Sequence, residues 1–162
     1  MTHTVRFRLA DAAADEVTAL RALLAAAGLA VPAGRPAVTV AAAASIPPGA
    51  RAALATELRM LTLPALWLVS LGTVAGRDDE LVLAAIVDAE LLAVHDTVHD
   101  ALAGRVRGPV AAYLPGAWLP HCVLATSAPT EGFARLHPLA PIRAPVVGME
   151  ILDSRTGTAD PL

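Results

Sequence analysis

One histidine and one threonine hold complementary places in two similar stretches of this chain, "PHCVLA" at 120–125 and "PAVTVA" at 36–41. Superposed, the stretches pair His121 with Ala37 and Val123 with Thr39. Both open on Pro and read as strands. Along a strand, residues i and i+2 share a face, so His121 points the same way as Val123, and Ala37 the same way as Thr39. An imidazole exchanges a proton near neutral pH, and a hydroxyl donates a hydrogen bond to an anion. The same alternation turns Cys122 away from His121, which makes it a buried, inert thiol rather than a nucleophile.

Charge and rings are available around these stretches. Arg6 and Arg8 share one face of a first strand and can bring positive charge to a phosphate. Arg105 and Arg107 can do the same from a loop ahead of the His121 stretch. Tyr113, Trp118 and Trp67 can stack on a base or anchor a core. His95 and His99 lie four apart on one helix, a spacing that can ligate zinc. However, Asp96 stands where a metalloprotease needs Glu, and no third ligand is evident, so the pair reads as a partly solvated helix face. No metal and no cofactor is expected.

The elements that must position these residues follow from periodicity. "THTVRFRLA" alternates as a first strand with Val5, Phe7 and Leu9 inward. Residues 11–28 form a helix capped by Asp11, with Val17, Leu20, Leu24 and Ala27 as its apolar stripe and Gly28 as its stop. "AVTVAAAAS" is the second strand, and "PPGARAALATELRML" a helix with Pro at its start. Two apolar runs, 65–75 and 80–87, joined by "GRDD", signal a hairpin. "AELLAVHDTVHDALAG" is a third helix. A Gly-, Pro- and Arg-rich loop over 104–117 leads to the strand "WLPHCVLAT". A short helix at 129–137 and a last strand, "APVVGMEIL", complete the order, and 154–162 reads as a loose tail. Hairpins mixed with helices make an α+β fold, not a doubly wound parallel sheet, with residues 1–153 as one domain of two lobes.

Composition sets the outer bounds. The chain has 162 residues, 56% of them hydrophobic and 17% charged, which suits one globular domain. All basic residues are Arg, and the net charge is −3, so no global basic field is there to hold a long duplex nucleic acid. The single cysteine excludes an internal disulfide and fits a reducing, cytoplasmic compartment. The longest uncharged run, between Arg59 and Arg77, is broken by Pro64 and Gly72 and reads as buried strand rather than a membrane span.

With the elements in place, the chain resembles the two-histidine phosphoesterases, the superfamily of 2'-5' RNA ligases and cyclic nucleotide phosphodiesterases. "YLPGAWLPHCVLA" resembles the second His-x-Thr/Ser signature, "RPAVTVAAAASIP" lies where the first belongs, and "LLAVHDTVHDAL" resembles the helix before the second motif. The resemblance implies a bilobal, pseudo-symmetric fold with two largely antiparallel sheets flanking a central groove and helices outside. It also implies one histidine as general base, the other as general acid, and two hydroxyls on the phosphate.

Carried over residue by residue, His121 matches the second histidine and Thr39 the first hydroxyl. Ala37 and Val123 are the degenerate motif positions. The reading that follows is a catalytically degenerate protein that binds a nucleotide, a cyclic phosphate or an RNA terminus in its groove. Thr39, Arg6 and Arg8 would hold the phosphate, and His121 would be catalytic if turnover survives, with His3 as a substitute for the missing histidine. Two other readings stand beside it. One is an active phosphodiesterase on 2',3'-cyclic phosphates or 2'-5' linkages that uses His121 alone. The other is a non-catalytic module whose groove, lined by Ala37, Ala41, Val123 and Ala125, takes an apolar ligand or peptide.

Overall fold

A computed structural model describes residues 2–162. Eight strands and four helices follow one another as β1 (His3–Leu9), α1 (Asp11–Ala26), β2 (Ala37–Ser45), α2 (Pro48–Leu58), β3 (Ala65–Val74), β4 (Arg77–Ala85), α3 (Ala89–Leu102), β5 (Arg107–Pro109), β6 (His121–Ala125), α4 (Pro129–Leu136), β7 (Ile142–Asp153) and β8 (Ala159–Pro161). Every pairing is antiparallel, and the strands run β5-β2-β1-β7-β3-β4-β6 without closing. The long β7 joins two sheets: its first part pairs β3 (Ala144 with Leu66), its later part β1 (Glu150 with Arg6).

The order conceals a repeat. β1-α1-β2-α2-β3 and β4-α3-β6-α4-β7 are successive copies of one strand-helix-strand-helix-strand unit, and the third strand of each joins the sheet of the other. This places β2 and β6, which carry the two similar stretches, at matching positions outside β1 and β4. The correspondence extends to irregularities. Val5 faces Ala41 and Arg6 faces Thr39, so Val40 is an extra residue on β2. Leu81 faces Ala125 and Val82 faces Val123, so Leu124 is an extra residue on β6. Val40 and Leu124 occupy the same place in their stretches, and bulges recur where a strand must re-aim a side chain.

One face of each sheet is apolar and packs against the helices, while the other opens to a groove. Val5, Phe7, Leu9, Val38 and Val40 meet Val17 and Leu24 of α1 in a continuous core that takes in Leu81, Leu83, Cys122 and Leu124 of the second sheet. Local chemistry sets the ends of the elements. Asp88 caps α3 by accepting from the Leu91 amide at 2.8 Å, and Pro48 opens α2. Gly76, at φ +81°, turns β3 into β4.

Three expectations are corrected. Asp11 does not cap α1; Ala10 holds the N-cap position, and the Asp11 carboxylate pairs with Arg35 instead. The tail is not loose, because β8 adds to the β7 edge and Arg51 bridges to Asp160 at 3.0 Å. The 104–117 loop contains β5, whose Pro109 and Arg107 pair with Ala43 and Ser45 of β2, and a 3-10 turn at Ala111–Tyr113. Among the described residues, no helix is long and apolar enough to cross a membrane.

Candidate functional site

Between the two sheets lies an open groove of about 300 Å³. Ala37 and Thr39 of β2 line it, as do His121 and Val123 of β6 and Arg6 of β1. Alternation predicts this arrangement, and it also buries Cys122, whose thiol is pushed up to about 12 by desolvation. Arg8 is placed differently. It shares the Arg6 face and pairs with Ala37 and Gly148 in register, but its side chain is outside the groove lining.

Each lobe keeps a different part. On the first, Thr39, Arg6 and Glu150 are cross-strand neighbours in one row. Arg6 is ion-paired to Glu150, and its Nε, buried, has no partner among the described residues. On the second lobe the matching row is Val123 and Val82, and the base-bearing row is His121 and Ala84. His121 Nδ1 lies 2.7 Å from the Leu119 carbonyl. A carbonyl only accepts, so Nδ1 carries the proton and Nε2 is left as the basic nitrogen. Burial, chiefly, and then the Arg77 charge hold His121 below the ordinary histidine value, against the opposing effects of the Leu119 carbonyl and Glu80. The ring is therefore neutral at pH 7 and able to take up a proton.

Arginines define the rest of the lining. Arg21, Arg35 and Arg77 join Arg6, with Glu80 and Tyr113. Arg77 donates to Glu80 at 3.3 Å and to the Tyr113 hydroxyl at 3.0 Å, and its guanidinium lies 5.7 Å from the centre of that ring. Arg35 donates to Asp11 at 2.6 Å and to the Leu9 carbonyl at 2.8 Å. Arg21 is buried on α1 and donates to the Val123 and Gly34 carbonyls. Of these three, only Arg21 left a signal in the sequence: it falls four residues after Val17 and three before Leu24, inside an apolar stripe.

The groove is braced from both sides at matching positions. Trp118 Nε1 donates to the Thr39 carbonyl at 2.8 Å, and Arg21 donates to the Val123 carbonyl at 2.8 and 3.1 Å. Thus each motif strand is tied by a side chain from the opposite repeat. Trp118 is not a base-stacking platform. It packs face to face on His95, with centroids 4.1 Å apart and planes 7° apart, and meets the edge of Phe7. Trp67 sits away from the groove on β3, and only Tyr113 of the three rings lines it.

Several other expectations are overturned. His95 is not on a solvated face: it is 1% exposed, its Nε2 donates to the Tyr113 carbonyl at 2.9 Å, and its bare Nδ1 has no partner among the described residues. His99 lies 3.3 Å from the Val40 carbonyl, so both rings fasten α3 to its surroundings. Among the described residues, no group of three or more His, Cys, Asp and Glu could hold a metal. His3 does not replace the missing histidine, because its Nδ1 accepts from the Ile46 amide at 2.9 Å and its Nε2 faces Asp153 at 3.7 Å. Arg105 bonds the Ala101 carbonyl and Arg107 is carried along the outer edge of β2, so neither lines the groove. Nor do Ala41 and Ala125. They follow the two bulges, which turn consecutive residues inward, and are 3% and 0% exposed.

Two depressed histidines give a pH dependence. Desolvation lowers His95 as it does His121, with His99 adding to the effect. Below about pH 6.5 the unfolded chain takes up protons that the folded chain refuses, so stability falls as pH falls. The melting temperature is expected to drop between pH 7.5 and 5, and less steeply in His95→Gln. A flat profile would contradict the burial of these rings.

The arrangement of sheets, repeat and groove can now be set beside known structures. The phosphodiesterase (PDE) domain of MHV ns2 matches with a TM-score of 0.64 at 14% identity, covering 99% of this chain and 98% of that one. E. coli LigT in complex with 3'-AMP matches with a TM-score of 0.65 at 12% identity, covering 99% and 93%. Its apo form matches with a TM-score of 0.64, covering 99% and 94%. The fold is that of LigT and of the ns2 PDE domain. Within this fold, one groove brings together Ala37 and Thr39 of β2 with His121 and Val123 of β6, the four positions singled out from the sequence. No family model and no curated protein sequence matches the chain.

Proposed function

We propose that the groove binds the phosphate of a nucleotide, a cyclic phosphate or an RNA terminus and has lost most or all turnover. One observation carries this reading: a chain of net charge −3 gathers Arg6, Arg21, Arg35 and Arg77 around Thr39 and His121 in one groove. Thr39 and the Arg6 guanidinium donate to phosphate oxygens, with Arg8 adding charge from the adjoining row. His121 Nε2 accepts a proton from water or from a phosphate. Hydrolysis of a cyclic phosphodiester also needs an acid for the leaving oxygen, and Ala37 has none to give. A groove of about 300 Å³ lies at the small end of small-molecule sites, in keeping with a mononucleotide or one RNA end. LigT, of the same fold, is seen with 3'-AMP. The buried, unpaired Cys122 accords with a reducing, cytoplasmic setting.

The apolar-ligand reading loses support at the groove, where four arginines and Glu80 stand among the lining residues. The single-histidine enzyme is separated by experiment. Incubated at high concentration with 2',3'-cyclic nucleotides and 2'-5'-linked oligonucleotides, the protein is expected to show no turnover above that of His121→Ala. In thermal-shift assays, 3'-AMP is expected to stabilise it. Turnover abolished in His121→Ala would establish the enzyme instead, and absence of both turnover and stabilisation would refute the phosphate reading.

A further inference from the structure

Three of the groove's arginines have a carboxylate partner: Arg6 has Glu150, Arg35 has Asp11 and Arg77 has Glu80. Arg21 has none among the described residues, although it is the most deeply buried of the four, at 7% exposure. It projects from the apolar stripe of α1 between the Val123 carbonyl and the Gly34 carbonyl, the latter 3.1 Å from Nη1. These contacts use the single N–H of Nε and one N–H of each terminal nitrogen. A guanidinium has five, so one on each terminal nitrogen is unspent, and Arg21 borders the groove.

Burying a charge without a counter-ion costs more than neutral hydrogen bonds return. Bracing β6 needs donors, and a neutral amide supplies donors without that cost. The retained charge therefore points to an anion that comes and goes. Arg35 follows Gly34 directly and enters the same wall of the groove. Its ion pair is with Asp11, whose side chain is 89% exposed, so the pair is screened and weakly held. Thr126, at the end of β6, adds a hydroxyl to this wall. The wall is built from α1, the loop before β2 and the end of β6, whereas Arg6 and Thr39 belong to β1 and β2.

We propose that Arg21 and Arg35 hold a second phosphate group, so that the ligand of this groove is a nucleotide bearing two phosphates rather than one. This rests on the phosphate-binding reading above and narrows it. Arg21, rigidly placed, presents its two spare N–H groups, and Arg35 exchanges Asp11 for the incoming anion. Adjacent phosphates, as in a nucleoside diphosphate, and separated ones, as in a nucleoside 3',5'-bisphosphate, share this chemistry.

Isothermal titration of the full chain with 3'-AMP, adenosine 3',5'-bisphosphate and ADP, in about 150 mM salt, tests it. At least one of the two doubly phosphorylated ligands is expected to bind tenfold or more tightly than 3'-AMP, and which one does so tells separated from adjacent phosphates. That advantage is expected to fall below threefold in Arg35→Gln and in Arg21→Lys, which keeps a charge but loses the fork. Arg35 is exposed, so its variant keeps the experiment decisive if Arg21→Lys fails to fold. Arg77→Gln is expected to weaken all three ligands alike and leave the ratio intact. Equal affinities in the parent protein would overturn the second subsite while leaving the phosphate reading in place. So would a ratio that falls as much in Arg77→Gln as in Arg35→Gln, the mark of a diffuse field. Failure of all three ligands to bind would overturn both readings.

Discussion

The double variant Ala37→His/Val123→Thr is expected to hydrolyse 2',3'-cyclic nucleotides at least about a hundred times faster than the parent chain, since one positioned acid or base is worth about 10²–10⁴ in rate. Ala37 and Val123 line the groove at the positions that correspond to His121 and Thr39 in the repeat. The matching bulges at Val40 and Leu124 put the two strands in the same local geometry. A histidine at 37 therefore supplies the proton that the leaving oxygen lacks, and a hydroxyl at 123 completes the pair of donors. Steady-state assays with each single variant, and with His121→Ala added to the double variant, check the account. Ala37→His alone should recover most of the gain because it restores the acid, Val123→Thr alone should gain little, and loss of His121 should abolish the gain. A double variant that still binds 3'-AMP but never turns over would mean that β2 and β6 are not in catalytic register.

Trp118→Ala is expected to cost about 3 kcal/mol of folding stability, the low end of the range for removal of a packed aromatic because the ring is only partly buried, measured by urea denaturation. The indole fills the space between Phe7 and His95 and satisfies the Thr39 carbonyl; its loss opens a cavity and strands an acceptor at the groove floor. Trp67→Ala is the control. That ring is 45% exposed on β3, and its removal should cost about 1 kcal/mol or less. Equal losses in the two variants would contradict the role given to Trp118.

Much of this was legible from local pattern. Strand alternation places Ala37 and Thr39, and His121 and Val123, on common faces and sends Cys122 inward, because a period of two depends only on the backbone. The likeness of "PAVTVA" to "PHCVLA" reflects a structural repeat down to its bulges. What local pattern misses is reach. Arg35 and Arg77 come from a loop and a hairpin whose sequences, "PAGRP" and "GRDD", announce turns and nothing more, and only the tertiary fold brings them to the groove. His95 is misread because its own helix says nothing of the Trp118 ring and the Tyr113 carbonyl that cover it. The tail is polar, as loose tails are, yet the open edge of β7 offers it a ladder. Ala41 and Ala125 fail for a narrower reason, since a bulge cancels the alternation on which their placement rests.

The central claim is that the groove between β2 and β6 recognises a nucleotide phosphate. A titration of isotope-labelled protein with 3'-AMP, followed through its backbone amide and histidine ring NMR signals, tests it most directly. Shifts centred on Arg6, Thr39, His121 and Val123, saturating with ligand, are the predicted result. A spectrum unmoved at millimolar ligand would contradict the claim. So would shifts centred on the apolar cleft of about 330 Å³ that Ala42, Leu102 and Val106 line on the far side of β2.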